Sequence, residues 1–245
     1  MNFKLVLSYD GSRYRGWQRL GSSDMTIQGK LESVLTRMTG SPVEVIGSGR
    51  TDAGAHALAQ VANFHCHTQM SCEQIKAYLC QYLPEDIGVR SVTSVDARFH
   101  SRYNAKKKTY RYRVWNSDEP CVFERRYVWK VDGALDIDAM REGAAYFLGE
   151  HDFLAFCSNK HFKKSSLRTI YSFHIERRGP EIVFELSGNG FLYNMVRIIV
   201  GTLIDIGRQA LSPDAITAIL NSRVRENAGQ TAPPQGLCLM EVSYK

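Results

Sequence analysis

Long apolar runs are missing from this chain. None of its 245 residues belongs to a stretch of about 18 consecutive hydrophobic residues, the length a membrane helix needs. The N-terminus, Met1-Asn2-Phe3-Lys4-Leu5-Val6, alternates apolar and polar residues and has no apolar signal core, so neither secretion nor membrane insertion is expected. The six cysteines (Cys66, Cys72, Cys80, Cys121, Cys157, Cys238) stand singly, with no CxxC pair and no framework spacing. That excludes a disulfide scaffold and fits a reducing cytoplasm. Also lacking are a Walker-type phosphate loop and a dinucleotide fingerprint, which removes support for a nucleotide cofactor. What is present is 44% hydrophobic residues, enough for one large domain or two modest halves, and a net charge of +6 that favours a polyanionic partner.

Residues 3–9 alternate with period two and end at Asp10-Gly11-Ser12, a strand followed by a loop. After the capping Thr26, the apolar Ile27, Leu31, Val34, Leu35 and Met38 recur at helical spacing until Gly40 and Pro42. Residues 43–46 predict a strand, 47–54 a loop and 57–67 another strand; Ser71-Cys72-Glu73-Gln74 is a capping box opening a helix, and 89–95 is extended. Beyond Asn104 the chain turns basic and extended. Residues 137–148 predict a helix, 168–175 and 181–186 a hairpin around Gly179-Pro180, and 191–206 an apolar helix; Pro213 opens a further helix to Leu220. A surface loop over 222–236 and a strand over 237–242 complete the chain. The division is into an N-terminal half, 1–104, and a C-terminal half, 105–245, both mixing strands and helices in an α/β (α+β) class.

The most informative stretch is Gly47-Ser48-Gly49-Arg50-Thr51-Asp52-Ala53-Gly54-Ala55-His56. Its glycines permit positive φ or close approach of a ligand, and an extended backbone sends Arg50 and Asp52 to the same side. Spacing alone leaves two readings: a shared ligand, or a surface turn with an Asx-type hydrogen bond and a solvated arginine. His65-Cys66-His67 puts two imidazoles on one strand face, but no second cluster supplies the other ligands of a tetrahedral site, so no metal is expected. Residues 98–130 hold ten Lys or Arg against three acids, and 160–178 six against one. Charge runs are commonly solvated faces, yet the interleaved Tyr103, Tyr110, Tyr112 and Trp115 tilt these toward RNA, where rings stack on bases and cations meet phosphates. Trp17 reads equally as a rim residue and as a core anchor.

Gly49-Arg50-Thr51-Asp52-Ala53-Gly54, with His56 following, resembles the catalytic loop of the TruA family of pseudouridine synthases. Five other stretches match that family in the same order: Tyr9-Asp10-Gly11 through Gly16-Trp17-Gln18; Phe99-His100-Ser101-Arg102-Tyr103; Lys108-Thr109-Tyr110-Arg111-Tyr112; Gly190-Phe191 through Met195-Val196-Arg197-Ile198-Ile199-Val200-Gly201; and Pro233-Pro234-Gln235-Gly236-Leu237. Ala55 and Tyr103 depart from the family pattern without removing a reacting group. The resemblance implies a pseudouridine-synthase fold of two related halves around a central active-site cleft. It also implies a cytoplasmic homodimer, no cofactor, RNA rather than DNA as partner, and base flipping to isomerise uridines at positions 38, 39 and 40 of the tRNA anticodon arm. By the same resemblance Asp52 is the nucleophile, Arg197 pairs with it, and Tyr110 stacks on or hydrogen-bonds the target base. Arg50 enters the gap left by the extruded nucleotide, while Phe99, His100, Arg102 and Tyr103 contact tRNA. The apolar neighbours Val196, Ile198, Ile199 and Val200 independently disfavour a merely solvated Arg197. A non-catalytic RNA-binding protein is disfavoured by the joint presence of Asp52, Tyr110 and Arg197. A phosphotransferase using Asp52 is disfavoured by the lack of a neighbouring acidic Mg²⁺ cluster.

Overall fold

The computed structural model describes residues 1–159, 162–163 and 165–245. Two compact units result, Met1–Lys106 with Cys238–Lys245, and Lys107–Leu237. The second half expected from sequence thus loses its last residues to the first unit, because the C-terminal strand (Leu237–Ser243) pairs in parallel with the strand His56–His65, Cys238 opposite His56 and Leu239 opposite Ala57. Such long-range pairing leaves no local trace in sequence.

In the first unit β1 (Asn2–Tyr9) lies antiparallel between β3 (His56–His65) and β4 (Ile87–Val95), and β2 (Val45–Gly47) adds to β3. β1 buries Phe3, Leu5, Leu7 and Tyr9, every second residue, as the alternation predicts. α1 (Ile27–Thr39) starts where Thr26 Oγ1 accepts the Gly29 N–H and stops at Gly40, whose φ of 70° closes it; Ile27, Leu31, Val34 and Leu35 face the core. α2 (Cys72–Tyr82) carries the predicted capping box, with Ser71 Oγ accepting from Gln74 N and Gln74 Oε1 from Ser71 N. Each cap of this kind contributes about 1 kcal/mol.

The second unit is an antiparallel sheet ordered β5 (Lys107–Trp115), β9 (Glu181–Gly188), β8 (Leu167–Arg178), β7 (Gly149–Asp152), with β6 (Trp129–Lys130) parallel to β5. Its helices are α3 (Ile137–Ala145), α4 (Met195–Gly207) and α5 (Ala215–Ser222). α3 is shorter than the sequence reading because its last turn tightens to i→i−3 hydrogen bonds ending in Gly149 at φ 91°. α4 starts only at Met195, since Asn194 takes a left-handed φ of 62°. Residues 222–236 are not a plain surface loop: two short 3₁₀ turns form there, and Ala232 is completely buried. Lys160 and Lys164 of the basic run 160–178 lie outside the described residues. Among those described, no helix is long and apolar enough to cross a membrane.

Candidate active site

The loop bearing Asp52 is held from two directions. On one flank the chain from Gly11 to Trp17 runs against it: Trp17 N–H donates to Thr51 O (3.0 Å) and Gly54 N–H to Tyr14 O (3.3 Å). Side chains would not fit here. A Cβ on Gly11 would stand 1.9 Å from Ala55 O, and one on Gly16, whose φ is 93°, 2.8 Å from Thr51 O. That contact accounts for the glycines of the Tyr9-Asp10-Gly11 and Gly16-Trp17-Gln18 stretches. Trp17 is buried beside Gly47 and Tyr9, and its N–H also braces the loop.

Beneath the loop lies a buried polar cluster. Tyr9 Oη and Thr51 Oγ1 are 2.8 Å apart; Gln60 Nε2 donates to Gly49 O (3.0 Å), and Ser48 Oγ donates to Gln60 Oε1 (2.6 Å). Gln60 and Ser48 have no exposed surface. Burial pushes the Tyr9 phenol well above the usual tyrosine range, a shift the hydrogen bonds with Thr51 and Gln60 reduce. Above this base Asp52 itself is half-buried. Sequence reasoning missed Gln60, although a polar residue at an inward position of an apolar strand is a legible signal.

Arg50 and the 100–103 turn share a cavity of about 290 Å³, lined by Trp17, Glu44, Arg50, His100, Arg102 and Tyr103 among others. The turn is fixed by Ser101, whose N–H donates to Asn63 Oδ1 (2.9 Å) and whose hydroxyl donates to Ile46 O. Backbone N–H groups of Arg102 and Tyr103 both point at His100 Nδ1, so the proton of the neutral ring sits on Nε2. Tyr103 is 78% exposed and its ring lies 4.2 Å from that of His100. Phe99 stands apart, packed on Tyr244 at 5.1 Å.

Tyr110 and Arg197 belong to the second unit. Tyr110 is buried on β5, its ring edge-on to Phe191 at 5.1 Å. Arg197, in the first turn of α4, donates from Nε to Ala232 O (2.6 Å) and from its guanidinium to Asn194 Oδ1 (2.9 Å). Tyr112 Oη donates to the next carbonyl, Pro233 O (2.7 Å). This stretch comes so close to α4 that a Cβ on Gly201 would sit 1.9 Å from Gln230 O, while one on Gly236 would meet the Tyr112 ring at 2.6 Å. The start of α4 and the stretch just before the Pro233–Leu237 motif, far apart in sequence, therefore hold Arg197 between them.

Much of the basic signal is spent internally. Arg111 pairs with Glu185, Arg113 with Glu124 and Glu181, and Lys130 with Asp132. Of the aromatics read as candidate RNA platforms, Tyr112 is fully buried core and only Tyr103 is freely exposed. His65 and His67 are exposed while Cys66 is buried. No group of three His, Cys, Asp or Glu among the described residues is arranged to hold a metal.

The fold is of the mixed α/β class, and in it a carboxylate on a braced loop lies beside a cavity lined by two arginines and an exposed ring. A family model described as tRNA pseudouridine synthase matches residues 5–104 and 144–245. The tRNA pseudouridine synthase A of Bacillus sp. (strain KSM-64) is 49% identical over 243 residues, 99% of either chain. The tRNA pseudouridine synthase A 2 of Bacillus anthracis is 46% identical and that of Acetivibrio thermocellus, named tRNA pseudouridine synthase A, 44%, both again over 99% of each chain. The chain belongs to the tRNA pseudouridine synthase family and is an isomerase acting on uridine in tRNA; its fold class is the one expected from sequence.

Proposed function

We propose that Asp52 is the nucleophile and that Tyr110 and Arg197 act with it on single uridines of the tRNA anticodon arm, at positions 38, 39 and 40. The carboxylate adds to ribose C1′ or uracil C6. The N1–C1′ bond breaks, the base turns, C5 bonds to C1′ and gives up its proton, N1 gains one, and the carboxylate is released. No oxidant, reductant or activated water is consumed. Arg197 aims the carboxylate through its planar fork, Tyr110 stacks on the base and helps move the C5 proton, and Arg50 fills the space the extruded nucleotide leaves. The enzyme works as a cytoplasmic homodimer without cofactor or metal.

The observation that carries this reading is the mounting of Asp52: a half-buried carboxylate on a loop whose neighbouring polar groups are buried and hydrogen-bonded. Rigid support of that kind is what a nucleophile aimed at one atom requires. The test is pseudouridine mapping of tRNA incubated with purified protein, repeated with excess chelator on a minimal anticodon arm. Asp52→Asn and Asp52→Ala are expected to lose all product while tRNA affinity falls little, because phosphate contacts over a wide surface dominate binding. Product above a trace in either variant removes Asp52 from the role.

A further inference from the structure

In the 100–103 turn Arg102 and Tyr103 are exposed and His100 is half-buried, while Ser101 between them has no exposed surface. The N–H, hydroxyl and carbonyl of Ser101 are all engaged. Its N–H donates to Asn63 Oδ1 (2.9 Å), its hydroxyl donates to Ile46 O, and its carbonyl accepts from Tyr244 Oη (2.7 Å). Behind Ser101 the network continues through two buried amides. Asn63 Nδ2 donates to Asn2 Oδ1 (3.1 Å), and Asn2 Nδ2 donates to Asp96 O and Phe99 O, each at 2.9 Å. The end of the chain is fastened to the same region: the Tyr244 ring packs on Phe99 at 5.1 Å, and Lys106 N–H donates to Ser243 O (2.8 Å).

We infer that Ser101 and Tyr244, backed by Asn63 and Asn2, are positioning residues that set the 100–103 turn in its RNA-binding shape before RNA arrives. The inference rests on the RNA-modifying reading above, in which His100, Arg102 and Tyr103 meet tRNA. Stability alone gives little reason for such a network, because apolar groups of the same shape in place of a buried hydrogen-bonded pair are nearly neutral or even stabilising. What hydrogen bonds add is direction. Three partners from three distant segments (Ile46, Asn63 and Tyr244) converge on one serine and leave it a single place and orientation. The outward side chains do not provide this themselves: Tyr103 is 78% exposed and leans on the ring of His100. A turn ordered in advance spares binding the entropy of ordering it, and contacts made through the flanking residues then come at full strength. Asn2, Asn63 and Tyr244 all lie outside the 99–103 motif, so the motif presents the contacts and the network behind it aims them.

The experiment measures Kd for a minimal anticodon arm and the single-turnover rate at saturation, using the full chain well below the melting temperature of every variant. Tyr244→Phe keeps the ring on Phe99 and deletes the hydroxyl that holds Ser101 O; Ser101→Ala deletes the hydroxyl given to Ile46 O. Each should raise Kd about threefold and the two together about tenfold, the scale of one or two net hydrogen bonds, while the rate at saturation holds. A second background separates aim from fold. With His100, Arg102 and Tyr103 all changed to alanine, Tyr244→Phe should raise Kd no further, because the turn then has no contacts left to present. Kd unchanged in both Tyr244→Phe and Ser101→Ala, with or without a lower melting temperature, overturns the inference, as does a loss that persists in full in the triple-alanine background. Failure of the underlying reading looks different: the unaltered enzyme leaves the arm without pseudouridine, or the triple-alanine turn binds the arm as well as the unaltered one.

Discussion

Gln60 makes several hydrogen bonds under the Asp52 loop and has no exposed surface. Gln60→Ala takes the amide donor from the Gly49 carbonyl, at about 1–3 kcal/mol where the group stays unsatisfied. The expected outcome is a single-turnover rate lower by on the order of a hundredfold with tRNA affinity near normal, since a shift of about 1 Å in a positioned group has that effect. A loss confined to stability, with the rate intact at low temperature, would show that Gln60 supports the fold and not the aim of Asp52. Arg50 and Tyr110 should fail differently. Arg50→Ala is expected to recover part of its rate on an arm whose target uridine is already unpaired, because extrusion is then cheaper by up to a few kcal/mol. Tyr110→Phe keeps the ring and loses the hydroxyl, so it should bind normally, turn over slowly and gain nothing from the unpaired arm. Single-turnover rates on paired and unpaired arms separate the two; equal rescue would mean the roles are divided wrongly.

At the scale of elements, the decisive contact joins α4 to the stretch before the C-terminal strand. Gly201 lets Gln230 O approach, and the same stretch supplies the Ala232 and Pro233 carbonyls that hold Arg197 and Tyr112. Gly201→Ala must push this backbone away, at about 1–3 kcal/mol, or roughly 2–4 °C in melting temperature per kcal/mol. Activity should fall further than stability, because Arg197 loses its anchor. Gly21→Ala is the control: nothing lies within 4 Å of a Cβ there, so thermal melting should hardly change. A Gly201→Ala enzyme with normal rate and normal melting would show that the clamp yields freely. Most elements were legible locally: the alternation of β1, the Thr26 and Gly40 ends of α1 and the Ser71 box of α2 are short-range signals. The late start of α4 was not, since its apolar run begins before Asn194 turns left-handed to present its amide oxygen to Arg197.

For the molecule as a whole, buried phenols are expected to weaken the fold at alkaline pH. Tyr9 in the first unit and Tyr112 in the second are both held above the ordinary tyrosine range chiefly by burial, with the Arg197 guanidinium partly opposing the shift at Tyr112. The folded chain therefore keeps protons that the unfolded chain releases near pH 10. Stability from this source is complete below about pH 10 and is lost as pH rises toward the folded values, by up to about 1.4 kcal/mol per pH unit for each tyrosine. Urea-unfolding midpoints followed from about pH 8 to 11 should show that decline, and Tyr9→Phe should make it shallower by about one proton. Equal slopes for the two proteins would mean that Tyr9 is not buried as its phenol.

By itself the sequence determined the class, the family and the candidate reacting residues. Those are carried by contiguous motifs, and a glycine, a cap or an alternating strand acts through neighbours a few residues away. Only the tertiary structure decided what the motifs are for one another. It joined Gly11 and Gly16 to the back of the Asp52 loop, put Gln60 beneath it, and brought the Ala232 carbonyl onto Arg197. It also decided which cations are paired within the fold: the arginines of β5 face glutamates across a strand register no local pattern encodes, while Arg50, Arg102 and Tyr103 meet around one cavity. The physical reason is that hydrogen bonds and ion pairs between distant segments depend on register and close approach, quantities fixed when the chain packs and not before.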